Sequence, residues 1–187
     1  YGDVYFSAEN GLAESRAVYL AGCGLPEAWA ERHHFVTAEL GFGTGLNILA
    51  LVDLWRRTAR PGQTLHIFSI EAHLMSADEA RRALAAWPEL ADLAQCLTDQ
   101  WPARKTGRHR ITFPGTGAQL DLALQEVGPA LEDWSGQADA WFLDGFSPAL
   151  NPAMWRDEVI HLVARRSAPG ARLASFTVAS AVRRTLE

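Results

Sequence analysis

Nine residues, Glu39-Leu40-Gly41-Phe42-Gly43-Thr44-Gly45-Leu46-Asn47, set three glycines at alternate positions between an apolar run and a helical pattern. Glycine at a strand-to-helix turn tolerates positive φ and lets backbone approach a bound molecule closely. Three such residues with no ligand would cost roughly 1 kcal/mol each in chain entropy. The spacing is not that of the dinucleotide fingerprint, which requires a third glycine at position 46, where Leu46 stands. Carboxylates recur at the ends of later apolar runs: Glu71, 26 residues beyond Gly45, then Glu126, then Asp144 in Asp144-Gly145-Phe146-Ser147-Pro148. Ligands of open parallel sheets bind outside the carboxyl ends of the strands, so these residues are expected around one cleft. Glu71 stands in the region where a carboxylate accepts hydrogen bonds from a ribose, and Glu126 where one meets an adenine amine. Each has a plainer reading: Glu71 as a surface cap of a strand, Glu126 as a helix N-terminal glutamate facing the dipole, Asp144 as the cap of a turn with Phe146 in the core.

The elements that must position these residues follow from the apolar periodicity. Strands are predicted over residues 35–40, 65–70, 110–113, 119–124, 138–143 and 172–177, with helices between them, so the pattern reads as an α/β fold with a mostly parallel sheet. The first helix is expected over residues 46–57. Ser76 with Glu79 three residues later forms a capping box for the next. Asn151-Pro152 supplies an N-cap and an N1 proline for a helix running to about residue 166, and Pro169-Gly170 turns the chain into the last strand. A single domain over residues 1–187 is expected, with residues 1–34 as an N-terminal extension on the substrate side. Because the chain stops in a helix after the last predicted strand, the C-terminal strands of such a sheet are expected to be missing.

Of the 187 residues, 48% are hydrophobic and 21% charged, a composition able to form one core. No apolar run approaches the roughly 20 residues that span a bilayer, and the first residues lack signal-peptide character, so a cytoplasmic protein is expected. Cys23 and Cys96 are far apart and suggest neither a zinc site nor a disulfide framework; both are expected to be reduced and structural. His33, His34 and His73 lack metal-ligand spacing, and no metal is expected. Ser69 and Ser175 lack a G-x-S-x-G setting, which disfavours a hydrolase. The net charge of −5 excludes nucleic-acid binding by bulk charge, but two basic clusters could contact phosphate locally. One spans residues 104–110; the other contains Arg165, Arg166, Arg172, Arg183 and Arg184.

The acidic residue followed by G-x-G-x-G resembles motif I of the class I S-adenosylmethionine (SAM) methyltransferases. On that resemblance Glu39, Gly41, Phe42, Gly43, Gly45, Asn47, Glu71, Glu126 and Asp144 are the expected cofactor-binding residues. Amino methyltransferases often carry Asp or Asn before a proline-containing aromatic tetrapeptide at the position of Asp144, so Asp144 and Phe146 are the expected catalytic pair. A primary amine is protonated at neutral pH, and a carboxylate beside it can orient it and take its proton as the lone pair attacks. Much of the acceleration comes from holding nitrogen in line with the methyl–sulfur bond.

Several stretches together resemble the methyltransferase domain of the MnmC family of tRNA-modifying enzymes. They are Asp3-Val4-Tyr5-Phe6-Ser7 with Glu9-Asn10-Gly11-Leu12-Ala13-Glu14, the glycine turn, Trp87-Pro88-Glu89-Leu90, Trp141 to Pro148 with Asn151-Pro152 and Trp155, and Phe176-Thr177 with Val182-Arg183-Arg184. The family implies a class I, Rossmann-like methyltransferase that uses SAM to methylate the aminomethyl group of 5-aminomethyl-2-thiouridine at the tRNA wobble position. It implies Tyr5, Ser7, Asn10, Pro148, Arg183 and Arg184 as substrate-binding residues, tRNA as partner, and in some members a fused FAD-dependent oxidoreductase domain. The chain has Gln125-Glu126 where the family commonly has Gly-Asp, a carboxylate one methylene longer. A SAM methyltransferase acting on another amine and a non-catalytic tRNA- or partner-binding module of the same fold are the alternatives. A nicotinamide oxidoreductase is disfavoured by Leu46.

Overall fold

A computed structural model describes residues 11–103, 106–144 and 155–175. Chain order is α1 (Gly11–Glu14), a π-helix (Ser15–Leu20), β1 (His34–Leu40), α2 (Leu46–Thr58), β2 (Thr64–Glu71), α3 (Ala77–Leu84), α4 (Ala91–Asp99), β3 (Gly107–Phe113), β4 (Ala118–Leu124), α5 (Val127–Asp133), β5 (Ala138–Leu143), α6 (Asp157–Arg165) and β6 (Ser167–Ser175). The strands form one sheet in the order β3-β4-β2-β1-β5-β6. All neighbours are parallel except β3 and β4, which pair antiparallel at the edge. From β1 the chain winds first toward β2 and β4 and later toward β5 and β6. The winding therefore reverses between β1 and β5, and a ligand crevice opens at such a switch point.

Both faces of the central strands are buried, as parallel pairing requires, which is why their sequences are near-continuous apolar runs. One face packs Phe35, Ile67, Leu120, Leu122 and Phe142 against Ile48, Leu51, Val52 and Trp55 of α2, the N-terminal segment and α4. The other packs Ala38, Phe68, Ile70 and Trp141 against Leu131 of α5 and Leu162 and Val163 of α6. Phe68 and Trp134 stack with ring centroids 4.4 Å apart.

The capping box that opens α3 is complete: Ser76 accepts from the Glu79 N–H, and the Glu79 carboxylate accepts from the Ser76 N–H at 2.8 Å. Two expectations are corrected. The helix predicted from Asn151-Pro152, which lie outside the described residues, is not continuous through Arg156, which is extended (φ −65°, ψ 150°) and serves as the N-cap of α6. Pro169-Gly170 does not precede the last strand but lies within β6, where the register jumps from Ala138↔Ser167 to Ala140↔Arg172. Gly170, with φ 78°, absorbs that irregularity. No helix among the described residues is long and apolar enough to cross a membrane.

Candidate active site

The register of the central strands brings the site together. Glu39 lies opposite Ser69 on β2 and Phe142 on β5, and all three project to the same face because side chains alternate along each strand. One residue on, Leu40 leads into Gly41, the turn that returns the chain as α2. Gly41, Gly43 and Gly45 have φ of 90°, 55° and 83°, so each occupies the left-handed region that disfavours a side chain. At Gly45 packing adds a second reason: a Cβ would stand 2.8 Å from Leu97 Cδ2 and 3.0 Å from Phe42 Cζ. Phe42 itself is buried and lies 5.4 Å from the Trp101 ring, so it anchors the turn onto the α4 side.

Most of the turn's N–H groups are satisfied inside the protein. Gly41 and Phe42 donate to the Ile70 carbonyl at 3.0 and 3.2 Å, Gly45 to the Phe42 carbonyl at 2.8 Å, and Gly43 to Glu71 Oε2 at 3.0 Å. Such a turn is not the outward-facing donor array that cradles a pyrophosphate. Glu71 closes β2 and also accepts from the His73 N–H at 2.8 Å, which holds its carboxylate at the crevice.

Behind the turn lies a buried polar cluster. Asn47, in the first turn of α2, donates from one Nδ2 to Glu39 Oε1 at 3.2 Å and to Asp144 Oδ2 at 2.6 Å. Ser69 Oγ donates to the other Glu39 oxygen, Oε2, at 2.5 Å. Only the amide nitrogen can donate, so the two carboxylates fix the orientation of Asn47. Its Oδ1 is then a buried acceptor with no partner among the described residues. Tyr19, on the π-helix, is fully buried, packs its ring 5.3 Å from that of Phe142 and turns its hydroxyl to Asp144.

Burial raises the carboxyl of Glu39 well above the ordinary carboxylate range, opposed by the Ser69 and Asn47 hydrogen bonds and reinforced by the charges of Asp144 and Glu71. Burial likewise raises Asp144, with Tyr19 and Asn47 opposing. The Tyr19 phenol is pushed up by burial and then by Asp144, so it stays protonated as a donor. Among the described residues no arginine or lysine pairs with Glu39, Glu71 or Asp144. A crevice edged by the Glu71 and Asp144 carboxyls, with an orphaned amide oxygen and, among the described residues, no compensating base, suits a cationic ligand. A sulfonium cofactor and a protonated amine both meet that description, and the inward-turned N–H groups do not oppose them.

The other expected residues are more dispersed. Glu126 is exposed, with φ −62° and ψ 149° as the N-cap residue of α5, and makes no side-chain cap hydrogen bond. Tyr5, Ser7, Asn10, Phe146, Pro148, Arg183 and Arg184 lie outside the described residues, as do Arg104 and Lys105. Several arginines of the two basic clusters are used internally. Arg110 pairs with Asp121 at 2.8 Å, Arg108 donates to the Asp133 carbonyl, Arg166 to the carbonyls of Leu131 and Glu132, and Arg172 to that of Cys23. Cys23 is buried, its thiol pushed up to about 11 by burial, and Cys96 is a second free thiol. Ser69 and Tyr19 were not expected at the site. Ser69 carries no local motif, and only the pairing of β2 with β1 reveals its contact with Glu39. A π-helical turn that presents Tyr19 has no sequence signature.

Comparison with known proteins sets this geometry in context. The model of the family described as S-adenosyl-L-methionine-dependent methyltransferase matches residues 88–187, a span that includes Asp144 and begins after the glycine turn. Over 186 residues the chain is 69% identical to a tRNA 5-methylaminomethyl-2-thiouridine biosynthesis bifunctional protein MnmC of Caulobacter vibrioides, covering 100% of this chain and 32% of that protein. The like-named protein of Maricaulis maris is 53% identical, again over 100% of this chain and 32% of the relative. The chain thus spans about a third of the length of the curated relatives it matches. Its fold superposes on the crystal structure of MNMC2 from Aquifex aeolicus with a TM-score of 0.79 at 25% identity, covering 100% of this chain and 57% of that one. The sheet is thus the Rossmann-like sheet of the class I methyltransferases, and the chain belongs to the S-adenosyl-L-methionine-dependent methyltransferase family.

Proposed function

We propose that this chain catalyses SAM-dependent N-methylation of the 5-aminomethyl group of 5-aminomethyl-2-thiouridine at the tRNA wobble position, the reaction of a tRNA (5-methylaminomethyl-2-thiouridylate)-methyltransferase. The observation that carries this reading is the Asp144 carboxylate at the end of β5, gripped by Asn47 beside the glycine turn, in a chain 69% identical to a protein named for the methylated nucleoside, 5-methylaminomethyl-2-thiouridine. In this reading Gly41, Phe42, Gly43 and Gly45 form the turn against which the cofactor lies, Glu71 accepts from its ribose, Glu126 faces its adenine, and Glu39, Asn47 and Asp144 surround its charged end. S-adenosyl-L-methionine supplies the methyl group on a sulfonium whose sulfur keeps the bonding pair. Asp144 holds the acceptor ammonium and takes its proton, freeing the lone pair that forms the new N–C bond. Phe146 packs on the acceptor, and holding the nitrogen in line supplies the larger part of the acceleration.

Tyr5, Ser7, Asn10, Pro148, Arg183 and Arg184 complete the substrate side, and the protein works in the cytoplasm beside a fused FAD-dependent oxidoreductase domain. Nucleoside mass spectrometry of tRNA from a strain lacking the gene tests the reading. The aminomethyl nucleoside should accumulate and the methylaminomethyl nucleoside should disappear, with both reversed by the full-length protein. An unchanged nucleoside profile rejects the assignment.

A further inference from the structure

Ser69 is fully buried on β2. A hydroxyl in that position is costly unless it is hydrogen-bonded, and its partner is a carboxylate oxygen of Glu39 at 2.5 Å. That bond is the first of three in series. Glu39 uses its other oxygen to accept from Asn47, and the same Asn47 nitrogen donates to Asp144 at 2.6 Å. The chain of contacts crosses from β2 through β1 and α2 to the end of β5, joining the ribose side of the crevice to the acceptor side.

We propose that Ser69 is a positioning residue for Asp144, acting through Glu39 and Asn47 to fix the carboxylate that receives the acceptor amine. The inference rests on the assignment of Asp144 given above. If Ser69 is lost, Glu39 Oε2 becomes a buried oxygen without its donor, and Glu39 is free to turn away from Asn47. Asn47 then loses one of the two contacts that orient its amide, and Asp144 loses the alignment that proton transfer from the amine demands. Ser69 touches neither ligand in this scheme and reaches the cofactor only through Glu39 and Asn47, so its removal should lower turnover more than it weakens cofactor binding.

The test is a double-mutant cycle on the full-length protein with tRNA bearing the unmethylated aminomethyl nucleoside. Ser69→Ala should lower kcat about tenfold, the loss of one buried hydrogen bond, while the Kd for SAM changes by a smaller factor. In the Asp144→Asn background the same substitution should cost less than about twofold, because the group it positions is already gone. Ser69→Cys, nearly isosteric and a weak donor, should fall between serine and alanine and gives the same ordering if the alanine variant folds poorly. Equal losses in both backgrounds, a loss confined to SAM affinity, or a wild-type kcat in Ser69→Ala would each overturn the proposal. Wild-type turnover by Asp144→Asn alone would instead reject the role of Asp144, which separates the two failures.

Discussion

The backbone N–H of Gly43 donates to Glu71 Oε2 at 3.0 Å, so the last residue of β2 holds down the glycine turn that follows β1. Glu71 therefore has a structural duty in addition to its proposed contact with the ribose. The two separate experimentally, because glutamine keeps an acceptor for Gly43 but loses the charge, whereas alanine loses both. Calorimetry should show Glu71→Ala weakening SAM by roughly 1–3 kcal/mol, the range for charge-assisted hydrogen bonds, with Glu71→Gln intermediate. Unchanged affinity in both variants would confine Glu71 to the turn.

Asp144 is the group on which the proposed chemistry depends. Asp144→Asn retains the shape and an acceptor oxygen but can no longer take a proton. Turnover should fall by about 10²-fold or more, the usual worth of a general base, with a much smaller loss of SAM affinity. The pH profile supplies a second reading. Burial raises the Asp144 carboxyl, and only the ionised form accepts a proton, so the acidic limb of activity should lie above the ordinary aspartate range of about 3.9. An acidic limb at the ordinary value, or a fully active asparagine variant, would remove Asp144 from the reaction.

The legibility of the fold in the sequence followed burial. β1, α2, β2 and β5 lie within about a residue of their predicted ends, because strands covered on both faces must be continuous apolar runs bounded by polar or glycine residues. β6 was harder, since a Pro-Gly pair reads as a turn when viewed locally, yet the strand tolerates it at an irregularity opposite Ala138 and Ala140. The glycine turn, Glu39, Asn47, Glu71 and Asp144 were visible as a constellation because strand-end residues of such a sheet must converge. Ser69 and Tyr19 were not visible. Their places depend on a register between distant strands and on a π-turn, neither of which leaves a local pattern.

Glu39 gives a stability prediction with a definite sign. Its carboxyl is raised by burial above the unfolded value of about 4.3, so the folded chain retains a proton that the unfolded chain releases. The stability this contributes is complete below the unfolded value and is lost as pH rises through the folded one. Glu39→Gln never ionises and still offers an oxygen to Asn47. The melting temperature of the variant relative to wild type should therefore climb as pH rises above the unfolded value of about 4.3, as followed by calorimetry. A difference independent of pH would show that Glu39 ionises alike in both states.

Internal pairing narrows the search for tRNA contacts. Arg108, Arg110, Arg166 and Arg172 are each held by carbonyls or carboxylates of the protein, and the partners they would lose make them poor candidates for phosphate. Arg183 and Arg184, which follow the strand on the acceptor side in sequence, are the proposed contacts. Phosphate contacts release condensed counterions, so tRNA binding should weaken steeply with salt despite the net charge of −5. Replacing both arginines with alanine should weaken binding and flatten the plot of log affinity against log salt by roughly 1.5 to 2. Arg110→Ala is the matched control, because it removes a surface arginine already committed to Asp121 and should leave that slope unchanged. If the double variant keeps the wild-type affinity and slope, phosphate recognition belongs elsewhere, and Arg104 with Lys105 becomes the pair to replace.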